Sequence, residues 1–64
     1  MPKITSKNLQ EISELLDSEH LAYQKSLFFS TQAQDPALKK KFGTWANNHK
    51  RRFDSLLNYL NSHE

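Results

Sequence analysis

Gln34-Asp35-Pro36-Ala37 is the stretch that decides the fold. Proline lacks an N–H and has a preset φ, so Pro36 suits the first position of a helix, and Asp35 before it suits the N-cap. The ring also pushes the preceding residue out of the α region. The chain must therefore turn at Gln34-Asp35. No other turn signal separates the two long segments on either side, and one glycine, two prolines and few β-branched residues argue for helix throughout both. The expectation is an all-α fold: one domain, residues 1–64, with a helix over 6–34, a helix over 36–61, and Thr5 or Ser6 as the first N-cap after a short Pro2–Thr5 leader.

Laid out at ~100° per residue, the first helix gathers Leu9, Ile12, Leu15, Leu16, Ala22, Tyr23, Leu27, Phe29 and Ala33 on one arc. Glu19 lies near its midpoint. The second helix gathers Leu38, Phe42, Trp45, Phe53, Leu56 and Leu60 around His49. Its positions 38, 42, 45, 49, 53, 56 and 60 are spaced 4, 3, 4, 4, 3 and 4, which predicts nearly straight or slightly right-handed packing. Asp35 lies 16 residues after Glu19 and 14 before His49. At ~1.5 Å per residue both are roughly 20 Å from the turn, so an antiparallel hairpin brings them to one level.

A carboxylate opposite an imidazole on apolar arcs has two readings. One is a structural ion pair that satisfies two groups too polar to bury alone, and on that reading an unpaired Glu19 is costlier than an unpaired, neutral His49. The other is metal ligation, in which two paired hairpins supply two glutamates and two histidines to one divalent ion. Tyr23 and Trp45 each lie four residues from the pair on the turn side and are expected to stack beside it as core neighbours. His20 falls at the edge of the first arc, and His63 near the C-terminal end is expected to be inert. Gly43 inside the second helix reads as a tolerated surface glycine rather than a close helix approach.

A hairpin of 64 residues leaves much of each arc open to water. No cysteine is present, which excludes disulfides and thiolate zinc sites and leaves self-association or metal ligation by oxygen and nitrogen as the remedy. Leu21 and Phe28, one heptad apart on the far side of the first helix, form a second apolar ridge and are the expected dimer contact. The net charge of +2 is too small to mark a nucleic-acid binder. Lys39, Lys40, Lys41, Lys50, Arg51 and Arg52 read instead as a solvated face, some of them pairing with Glu11, Glu14 and Asp17. No apolar run approaches a membrane span and Met1-Pro2-Lys3 leads into no signal core, so the chain is expected to be soluble and cytoplasmic. No serine- or cysteine-centred nucleophile, phosphate loop or metalloprotease motif is present, so an enzyme is not expected.

Ser18-Glu19-His20, Gln32-Ala33-Gln34-Asp35-Pro36-Ala37-Leu38-Lys39 and Asn48-His49-Lys50-Arg51-Arg52-Phe53, continuing to Leu60, resemble the ferritin-like helical hairpins of spore coat F-like proteins of Gram-positive bacteria. The resemblance covers roughly residues 9 to 62. It implies half of a ferritin-like four-helix bundle completed by dimerisation, with Glu19 matching the first-helix ligand glutamate and His49 the ligand histidine. The companion glutamate three residues before the histidine is missing, because Ala46 stands there. The resemblance therefore implies a non-enzymatic structural or assembly module, spore-associated, whose partners are a second copy and other coat proteins and which has no cofactor. The alternative is a metal-binding ferritin-like bundle using Glu19 and His49 from both protomers.

Overall fold

The computed structural model describes residues 4–62, and the leader residues Met1-Pro2-Lys3 and His63 lie outside them. Two α-helices, α1 (Ser6–Gln32) and α2 (Pro36–Ser62), form the expected hairpin, with no strand among the described residues. Thr5 is the N-cap of α1, its Oγ1 accepting from the Asn8 N–H at 3.1 Å. Asp35 caps α2, its Oδ1 accepting from the Ala37 N–H at 2.9 Å and its carbonyl from the Lys39 N–H at 2.9 Å. The two side-chain contacts, to Asn8 and Ala37, occupy donors that a helix start leaves without an intrahelical partner.

Helix α1 ends two residues before the expected Gln34. In its last turn the Ser30 Oγ donates to the Leu27 carbonyl at 2.6 Å and the Thr31 Oγ1 to the Phe28 carbonyl at 2.7 Å. Hydroxyls that bond nearby carbonyls compete with the helical ladder. Ala33 then takes an extended conformation (φ −67°, ψ 130°), its N–H closing on the Phe29 carbonyl at 2.9 Å. Helix α2 runs one residue past its expected end.

The residues of α1 that are turned from solvent include Ile12, Leu16, Glu19, Tyr23, Ser26 and Ser30, followed by Ala33 at its C-cap, and those of α2 include Phe42, Ala46, His49, Phe53, Leu56 and Leu60. Both series alternate steps of four and three. That is the heptad pattern of a left-handed seam, not the straighter repeat expected from position 45. Ala46 is 3 % exposed and Trp45 46 %, so the seam passes through the methyl and the indole lies on its flank. A small residue at the contact lets the backbones approach, and the large one cannot fit there.

A Cβ built on Gly43 meets nothing within 4 Å, so this glycine serves no close approach and its backbone freedom is a pure loss in a helix. Gly43→Ala is expected to raise stability by about 0.5–1 kcal/mol, an increase of a few degrees in Tm by circular dichroism. A fall in Tm would show that position 43 is a contact.

Candidate functional site

Glu19 and His49 meet as the turn geometry requires. The imidazole Nδ1 lies 2.7 Å from Glu19 Oε2, with the two side chains 25 % and 18 % exposed. A carboxylate only accepts, so Nδ1 carries the proton and donates. Arg52 adds a third member, one turn beyond His49, with a guanidinium nitrogen 3.9 Å from Glu19 Oε1 and 3.4 Å from His49 Nδ1. Because Nδ1 is already a donor, the second approach is proximity rather than a hydrogen bond. Arg52 sits on the flank of the seam and was not singled out beside Glu19. Its spacing of three residues from His49 was the available signal.

This cluster is the centre of the molecule: Glu19 has thirteen residues of α1 on either side, and His49 thirteen of α2. It also borders a shallow open groove lined by Glu19, Asn48, Arg51, Arg52, Ser55, Leu56 and Tyr59.

The neighbours differ from expectation. Tyr23 is half-buried, but Trp45 does not stack on it. The indole packs edge-on against Phe42 at 5.2 Å, and Phe42 in turn meets Phe29 at 5.4 Å. Neither Tyr23 nor Trp45 hydrogen-bonds the polar pair among the described residues, because the seam passes at Ala46 and turns Trp45 away. His20 is exposed and lies against the Phe53 ring at 5.8 Å. Leu21 and Phe28 are 52 % and 58 % exposed, and Phe28 touches Phe29 at 5.7 Å. The expected pairing of Glu11, Glu14 and Asp17 with the bases of α2 is not seen among the described residues, where both ion pairs belong to Glu19.

No group of three or more histidine, cysteine or carboxylate side chains comes together among the described residues. One hairpin offers Glu19 and His49 alone, and the position where a further carboxylate would stand is the buried methyl of Ala46. The donor set does not fit a dinuclear centre.

Arg52 changes the energetics of the pair, because a carboxylate deprived of His49 still has a cation beside it. Glu19→Ala and His49→Ala are each expected to cost about 1–2 kcal/mol in urea melts, similar to one another. Arg52→Ala is expected to cost more in the His49→Ala background than in the parent. An Arg52→Ala effect identical in both backgrounds would show that the guanidinium does not support Glu19.

No protein-family model, curated protein or solved structure matches this chain.

Proposed function

We propose that this chain is a non-enzymatic structural and assembly module that acts as a homodimeric four-helix bundle. One observation carries the reading: among the described residues only Ile12 and Ala46 are buried apolar side chains, while ten large ones, among them Leu15, Phe29 and Trp45, remain 37 % exposed or more. The chain exposes 5110 Å², more than the roughly 4,200 Å² usual for a compact monomer of this mass, as its rod shape requires. The resemblance to spore coat F-like hairpins supports an assembly role, with other coat proteins as further partners. No helix among the described residues is long and apolar enough to cross a membrane.

A divalent-metal-binding bundle is the second reading, favoured by one feature of His49. Its Nδ1–H is held by Glu19 and its Nε2 takes no hydrogen bond among the described residues, the arrangement in which a carboxylate orients a histidine ligand. Element analysis of protein purified without chelator or affinity-column metal separates the two. About one ion per two chains would favour the metal reading.

Sedimentation equilibrium at micromolar concentration is expected to give about twice the 7.5 kDa chain mass. A folded monomer that persists at high concentration would end the bundle reading. Ferrous iron in air is expected to oxidise no faster with the protein than in buffer, since two glutamates and two histidines leave too few bridging carboxylates for a pair of irons. Rapid iron oxidation that vanished in Glu19→Ala would instead establish an enzyme.

A further inference from the structure

We propose that the two copies pair through the flank of the seam that carries Trp45, about a two-fold axis perpendicular to the helices at the Glu19–His49 level, with the loops at opposite ends. The inference rests on the homodimer reading and specifies its geometry.

Three observations point to this arrangement. First, Leu38, Trp45, Arg52 and Tyr59 stand seven residues apart and so share one flank of α2. Measured from His49 they lie at −11, −4, +3 and +10, nearly symmetric about the helix centre. Reversing one copy against the other brings Leu38 to the partner copy's Tyr59 position and Trp45 to its Arg52 position, twice over. An isologous contact requires this self-complementarity.

Second, the flank has a raised half and a hollow half. Phe29, Phe42 and Trp45 are in ring contact and form the raised part on the turn side. The groove floored by Leu56 and edged by Arg51, Arg52 and Tyr59 forms the hollow part on the other side of His49. With the loops opposed, each Trp45 falls at the level of residue 53 on the facing helix, between Arg52 and Leu56. An indole over a guanidinium is a favoured cation–π pair. With the loops at the same end, the raised halves would meet and the grooves would stay empty.

Third, charge along the edges selects the same orientation. Glu11 lies eight residues before Glu19 and Lys25 six after, both on the outer edge of this flank of α1. Opposed loops set each Glu11 near the other copy's Lys25. Loops at one end would set Lys25 near the other copy's Lys41, a like-charge contact. The Leu21–Phe28 ridge faces away from the seam, behind this flank; Phe28 adjoins it through its ring contact with Phe29, and Leu21 lies outside it.

The chain has no cysteine, so Gln34→Cys in the exposed turn carries a single nitroxide label. Double electron–electron resonance, run on a sample whose mass is checked by sedimentation, is expected to give a label separation of about 45 Å, thirty residues of helical rise. A separation below about 20 Å in a confirmed dimer would overturn the opposed orientation and leave the homodimer standing. No dipolar signal, with a monomer mass, would overturn both. Trp45→Ala is expected to raise the dimer Kd at least tenfold while retaining helicity at high concentration, and Leu21→Ser to change it less than twofold. An unchanged Kd for Trp45→Ala, or loss of the dimer in Leu21→Ser, would overturn the assigned face.

Discussion

Two helices can hide only one side of each other, and every feature of this protein follows from that constraint. Each helix of 27 residues spends its seam on its neighbour and leaves both flanks and the back in water. The hairpin is a rod of 48 × 16 × 10 Å with a radius of gyration of 14.7 Å, where about 11 Å is usual for a globule of this length. Apolar side chains on the flanks then stay largely in water even where, like Trp45 against Phe42, they touch a neighbour. Helices this long draw their stability from packing rather than from propensity, and one seam supplies little of it.

The polar pair makes sense within that constraint. A seam of alternating leucines and alanines would tolerate sliding by a heptad, since each register buries similar groups. Glu19 and His49 accept only the register that joins them at 2.7 Å, and any other leaves a carboxylate and an imidazole against apolar neighbours. The energy of the contact is modest at this exposure, but its discrimination is large. Placing it at the midpoint of both helices equalises the overhang at either end.

The hairpin, its Asp35-Pro36 turn and the meeting of Glu19 with His49 were legible in the sequence because each depends on local chemistry or on counting residues along a rigid rod. The caps at Thr5 and Asp35 were legible for the same reason. The seam through Ala46 was not. Positions 45 and 46 lie on opposite shoulders of the arc around His49, about −40° and +60° from it, and hydropathy favours tryptophan over alanine. Close packing decides the other way, since the backbone approach that joins Glu19 to His49 leaves room for a methyl one turn before the histidine and none for an indole. That choice also displaced Trp45 from Tyr23 and onto Phe42. The early end of α1 escaped for a different reason: Ser30 and Thr31 are neutral in pattern and act only through the hydroxyl bonds they make in the folded chain.

Ala46 ties the chemistry of the centre to its architecture. A glutamate at that position would bring a carboxylate toward His49, but its side chain would have to enter the narrowest part of the seam, where only 3 % of the alanine reaches solvent. The same methyl that permits close packing thus keeps the donor count of one hairpin at two. With His49 held through Nδ1 by Glu19, and Glu19 shared with Arg52, both groups are already committed to each other and to the register they enforce. A centre built this way ties register to composition: the contact that satisfies both polar groups also fixes the level at which the two helices meet.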